Sequence, residues 1–270
     1  MGTTCQFLSP TRQAEIRPFE TAARPTVGFA RDYPNGLSSG FHVHPRAQLL
    51  YAITGIMRVE TRQAHYVVPP TTALLLPADV EHSVTMDGPV AMRELFLRDD
   101  VADRLGIDPK VISVSGLLRE LIVAVCNEPV DWETNGRAYH LSELAIDEIA
   151  RSSPLPLGLR VPQDARIRRV INALLDNPGD QRGLDAWCDV ANASSRTLAR
   201  LFRSETGLTF RQWRQQARLT EALRALTMGA TPSKAAALAG YDSAPAFGCA
   251  FREIFGITPG EAQARYSQGA

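Results

Sequence analysis

The chain is 270 residues long, 44% hydrophobic and 21% charged, with 29 basic and 29 acidic side chains and no formal net charge. That is the composition of a soluble globular protein of one large or two ordinary domains. It excludes a chain that is basic throughout and, with no apolar run of about 18 residues, a helical membrane span. The zero hides an asymmetry: residues 1–159 hold 14 basic against 19 acidic side chains, and residues 160–270 hold 15 against 10. Two domains are therefore expected, the second facing a polyanion. Lys110 and Lys234 are the only lysines, and arginine suits bidentate contacts to phosphate and guanine. Cys5, Cys126, Cys188 and Cys249 are too widely spaced for a disulfide framework or a CxxC pair, and no signal-peptide pattern opens the chain. A reduced, cytoplasmic protein is the expectation.

In chain order, residues 1–25 read as irregular, broken by Pro10, Pro18 and Pro25. Residues 26–98 read as strands: short apolar runs (AQLLYAI, MRVET, YVVPP, TALLLP, VAMRELFL) alternate with turn signals, the rhythm of an antiparallel sandwich or barrel. Within them lies GFHVHPRAQLLYAITG, residues 40–55. His42, His44 and Gln48 share a strand parity and can point into one interior. His82 follows in LLLPADVEHSV, five residues after Pro77. Residues 101–152 read as helical, with Leu117, Leu118, Leu121, Ile122 and Val125 on one stripe and Leu141, Leu144, Ala145 and Ile149 on another. This segment is expected to pass a signal and to dimerise. SSPLPLGLRVPQD has no period, and residues 153–163 read as a linker.

Residues 164–270 read as about seven short helices. In LDAWCDVANASSRTLARLFRSETG a first helix ends near Ala191, Asn192-Ala193 turn, and Ser194 caps a second helix. Leu198, Leu201 and Phe202 face inward there, while Arg196, Arg200 and Arg203 form an outward stripe beside Ser195 and Ala199. Such a helix can enter a major groove. The pattern returns in TPSKAAALAGYDSAPAFGCAFREIFGITP. Thr231 and Ser243 cap, Phe247 and Phe251 face inward, and Ala244, Pro245, Gly248, Cys249 and Arg252 face outward. Apart from Arg252 this second face has no side chain to read a base by hydrogen bonds.

Both halves, joined by RQWRQQARLTEALRALTMG, closely resemble the AraC/XylS family of transcription regulators over residues 164–266. The resemblance implies two helix-turn-helix units on promoter DNA, with RNA polymerase as a further partner if the protein activates. Residues 26–98 resemble the cupin signature HxHx3Qx6G followed by PxDxxH. Gln48 stands where metal-binding cupins usually have Glu, and Asp79 where they usually have Gly.

The expected fold is α+β: a cupin-like, jelly-roll antiparallel β-barrel with helices (1–100, then 101–152), the linker, and an all-α DNA-binding domain (164–270). Three readings of the interior histidines stay open. His42, His44, His82 and Gln48 hold a divalent transition metal (Zn, Ni, Fe, Cu or Co), they bond a small organic effector, or they are satisfied core residues. No GxSxG, P-loop or GxGxxG motif supports nucleophilic or phosphate chemistry. The leading function is a DNA-binding regulator with a small-molecule or metal sensor, a homodimer in the cytoplasm. The alternative is a metal-dependent cupin enzyme of dioxygenase or isomerase type.

Overall fold

The computed structural model describes residues 10–106 and 108–267. The chain divides into two compact units, Met1–Arg62 with Tyr66–Leu155, and Gln63–His65 with Pro156–Ala270.

The first unit opens with helix α1 (Pro10–Glu20). Strands β1 (Thr26–Tyr33), β2 (Ala47–Ala52), β3 (Ile56–Thr61), β4 (Ala64–Val68), β5 (Thr72–Leu76), β6 (His82–Asp87) and β7 (Val90–Leu97) follow. Then come α2 (Asp99–Leu105), β8 (Lys110–Ser113), α3 (Gly116–Cys126), α4 (Arg137–Arg151) and β9 (Pro154–Leu155). One sheet runs β1-β7-β2-β5-β8-β9, and a second contains β4-β3-β6 in that order. The pairings β1–β7, β2–β7, β2–β5, β5–β8 and β3–β6 are antiparallel. Side chains of both sheets line one cavity, so the sheets face each other. The expected antiparallel domain is present as two sheets rather than as one closed hydrogen-bonded barrel.

Every residue of β2 is buried, because both faces of its sheet are covered. Leu49 and Tyr51 join Leu95, Leu97, Leu118, Ile122, Val125, Ile146 and Ile149 in a core shared with α3 and α4. The alternate positions, Gln48 and Leu50 on β2 and Met92 and Glu94 on β7, line the cavity. The two amphipathic helices thus find their cover on the sheet and on each other. Leu117 and Leu144, expected on the apolar stripes, are exposed instead at 51% and 45%.

Three sequence expectations are corrected. Residues 10–20, expected to be irregular, form α1. Pro10 stands at a helix start, where no N–H is needed, and Pro18 removes a ladder bond so near the end of α1 that only Phe19 and Glu20 follow it in the helix. The rest of that expectation, residues 1–9, lies outside the described residues, as does Cys5. The segment 101–152, expected to be helical, also contributes β8, whose β-branched Val111 and Ile112 are buried against β5. The segment 153–163, expected to be a linker and the domain boundary, does hold the division between the units after Leu155, but it also carries the short strands β9 and β10 (Gly158–Arg160).

The second unit contains α5 (Ala165–Asp176), a 3-10 turn (Leu184–Trp187), α6 (Cys188–Ala191), α7 (Ser195–Thr206), α8 (Phe210–Thr227), α9 (Pro232–Leu238), α10 (Ala244–Phe255) and α11 (Pro259–Ser267). Val170, Leu174, Trp187, Leu198, Phe202 and Trp213 belong to one of its cores. Phe247, Phe251 and Phe255 form a ladder of rings on α10, with centroids 5.4 and 4.6 Å apart. Arg218 of the long helix α8 donates to the carbonyls of Pro178 and Asp180 at 2.9 and 2.6 Å, which fixes the loop after α5. No described helix is long and apolar enough to cross a membrane.

Candidate functional site

In the first unit the two histidine segments are sewn together by backbone. His42 and His82 exchange N–H···O bonds of 2.9 Å, and Asp79 N donates to the His44 carbonyl at 2.9 Å. Asp79 sits at φ 57°, which explains why the cupin pattern has Gly there; a short polar side chain tolerates this conformation. Gly55, which closes the first motif, has φ 78°, and a Cβ there would lie 2.2 Å from the Pro89 carbonyl. Only glycine fits.

The result is a cluster of three imidazoles. Ring centroids are 4.4 Å apart for His42–His82, 4.8 Å for His42–His44 and 5.7 Å for His44–His82. Each ring offers one ligand atom within 4.8 Å of the others. Their Nδ1 atoms are committed elsewhere: to the Gly40 carbonyl at 2.8 Å, to Glu20 Oε1 at 2.6 Å and to the Val80 carbonyl at 2.8 Å, for His42, His44 and His82 respectively. Carbonyl and carboxylate oxygens accept, so each Nδ1 carries the proton and donates. A neutral ring then keeps its lone pair on Nε2. The Nε2 of His82 is fully buried with no hydrogen-bond partner. Burial, reinforced by the neighbouring His82, pushes His42 and His44 down to about 3. Burial lowers His82 too. All three are neutral imidazoles at pH 7, the protonation state a metal ligand needs.

The cavity around them has about 20 Å³ open to the centre of a water molecule. Its wall includes Arg12, Tyr33, Gln48 and Glu94. Gln48 Nε2 donates to Glu94 Oε1. Glu94 is 3% exposed, and burial pushes its carboxyl up to about 8, with the Gln48 bond pulling the other way. His65 and His140 are exposed and stand outside the cluster.

Sequence reasoning found the three histidines and Gln48 but missed Glu20, Arg12 and Glu94. Glu20 and Arg12 come from α1, in a stretch read as irregular. Glu94 had a visible signal, an acidic residue inside the apolar run VAMRELFL, because a carboxylate in a buried strand needs a partner.

The second unit presents an outward face on two helices. Asn192 ends α6 in the left-handed conformation, φ 52° and ψ 50°. Ser194 caps α7 by accepting from Thr197 N at 3.3 Å. Leu198, Leu201 and Phe202 are buried, while Arg196, Ala199, Arg200 and Arg203 are exposed and Ser195 is half-buried. No side-chain hydrogen bond or ion pair engages the three arginines among the described residues. α9 and α10 repeat the plan: Thr231 accepts from Lys234 N, and Ser243 from Ala246 N, both at 3.3 Å. Here the outward positions are Ser243, Ala244, Pro245, Cys249 and Arg252, with Gly248 half-buried.

Comparison with known proteins agrees with both halves. Residues 26–163 match the AraC-like ligand binding domain, and residues 187–265 match a helix-turn-helix domain. The chain is 34% identical over 229 residues to the HTH-type transcriptional regulator NimR of Escherichia coli, covering 85% of this chain and 84% of that protein. It is 33% identical over 99 residues to the HTH-type transcriptional regulator RipA of Corynebacterium glutamicum, 37% of this chain and 30% of that one. Among solved structures, ToxT from Vibrio cholerae aligns over 90% of this chain and 98% of its own, at 12% identity and a TM-score of 0.40. The curated relatives are transcriptional regulators, which sets aside the cupin-enzyme alternative. The chain belongs to the AraC family of transcription regulators, with an AraC-like ligand-binding domain ahead of its helix-turn-helix DNA-binding domain.

Proposed function

We propose that this regulator responds to a divalent transition metal ion held by His42, His44 and His82. One observation carries the reading: three neutral imidazoles spend their Nδ1 protons on oxygen acceptors and keep three Nε2 lone pairs together, one of them buried without a partner. A metal-ligating histidine is oriented in this way, by a carbonyl or carboxylate on its other nitrogen. Zn, Ni, Fe, Cu and Co all accept imidazole. A cavity of about 20 Å³ has room for roughly one water, which favours an ion over a drug-sized organic effector. Gln48 stands on the wall of the site with its amide N–H turned to Glu94.

On the DNA side, Arg196 and Arg200 read base edges in one major groove, with Ser195, Ala199 and Arg203 beside them. Arg252 and the Ser243 start of α10 hold phosphate in the next, while Ala244, Pro245 and Gly248 allow close approach. The acting form is a cytoplasmic homodimer on promoter DNA, and RNA polymerase is its partner at an activated promoter. The metal acts by binding one arrangement of the protein more tightly than another.

Metal uptake is the test. Chelator-treated full-length protein should take up one Zn2+ per chain in a competition titration, and His82→Ala should lose that binding while keeping its DNA affinity in chelator. Wild-type protein with no stoichiometric uptake of Zn, Ni, Co, Cu or Fe would overturn the reading.

A further inference from the structure

We infer that Glu94 is the carboxylate partner of the bound metal ion, acting through one bridging water, and so takes over the part that the cupin pattern gives to position 48. The inference rests on the metal reading above and deepens it.

In the strand register Gln48 stands opposite Phe96, and Leu50 opposite Glu94, so Glu94 is one inward step along from Gln48 on the same cavity wall. Sequence position 48 therefore has an amide where a carboxylate is usual, and the carboxylate is supplied from β7 instead. Gln48 Nε2 donates to Glu94 Oε1, so the amide that replaced the usual ligand now aims the replacement carboxylate. A carboxylate has about four lone-pair sites, and among the described residues this amide is the one side-chain hydrogen bond found for Glu94. Glu94 lines the cavity together with Arg12 and Tyr33.

Distance decides between direct and water-bridged contact. The ligand atoms within 4.8 Å of one another belong to His42, His44 and His82, and Glu94 is not in that group. The cavity that Glu94 and the three histidines line together has about 20 Å³ of room, and one water needs roughly 10–15 Å³. A water on the open face of a three-imidazole metal site has protons to donate, and Glu94 accepts as the carboxylate, the form that a nearby cation favours. Charge points the same way. A divalent ion among three neutral rings in a buried site lacks compensation, and burying an unpaired charge is costly. The other acidic group at the site, Glu20, is already engaged with His44 Nδ1 at 2.6 Å.

The test is chelator competition with Zn2+ on the full-length chain, paired with the visible absorption of the Co2+-loaded protein. Glu94→Gln should weaken Zn2+ binding about 10- to 100-fold and change the cobalt spectrum, with unaltered thermal melting of the metal-free protein. Glu94→Asp keeps the charge and should lie between the two, which guards against a fold defect in the amide variant. Wild-type affinity and spectrum in Glu94→Gln would overturn the assignment. Absence of metal from the wild-type protein would instead sink the reading on which it rests.

Discussion

In the first unit, His42, His44 and His82 are 6%, 3% and 1% exposed and line one cavity. In the second, Arg196, Arg200 and Arg203 stand exposed along α7. Desolvation controls the first set: it keeps the rings neutral. Solvation controls the second: the guanidinium groups stay charged and available, so a long polyanion gains, and its grip falls steeply with salt. The same comparison holds in miniature between the two helix-turn-helix units. α7 and α10 share a serine N-cap and a left-handed glycine C-cap, Gly207 and Gly256. Their outward side chains differ, so the shared caps place the backbone while the outward residues set what each helix can read.

Four changes would break or sharpen these contrasts. The largest effect belongs to packing. Phe202 is fully buried in a core of the second unit, so Phe202→Ala should cost about 3–5 kcal/mol in urea unfolding. The first unit has its own core, and its metal uptake should survive; joint loss of both would make the two units one folding body. Next come the outward arginines. Arg196→Ala should lose about 1–3 kcal/mol of discrimination at one or two base pairs, read by a binding-site selection. Arg252→Ala should weaken all sequences alike and lower the salt slope by about 1. Equal loss of specificity from both would end the division of labour between α7 and α10. The smallest effect is at Gly248, where an added Cβ meets nothing within 4 Å. Gly248→Ala should raise stability by about 1 kcal/mol and, if α10 lies close in a groove, weaken DNA binding. Tighter DNA binding would place α10 away from the bases.

The second unit was legible in the sequence because its signals are local. Ser194, Ser243, Thr231 and Gly207 are capping signals read within four residues, and Asn192 takes the left-handed turn expected of it. The first unit was legible only where its site is local too. His42, His44 and His82 sit in two motifs, but Glu20 reaches His44 from 24 residues away and Gln48 meets Glu94 across 46. No short spacing encodes such pairs. α1 was hidden by Pro18, which ordinarily breaks a helix but here falls in the last turn. Glu94 stood out as an acidic residue in an apolar run, but β7 is buried at least in part on both faces, so its pattern has no clean alternation to show that the residue faces the cavity. The strands β8 and β9 were missed because they add to an edge of the sheet from a stretch dominated by helices.

The central claim joins the two units: metal at the three imidazoles changes what the arginine face does. Its most direct measurement is fluorescence anisotropy of the protein on its own upstream DNA, in chelator and in saturating Zn2+, for wild type and His42→Ala. The account predicts a metal-dependent change in affinity for wild type and none for His42→Ala. Stoichiometric metal binding with identical DNA affinity in both conditions, or the same metal response in His42→Ala, would contradict it.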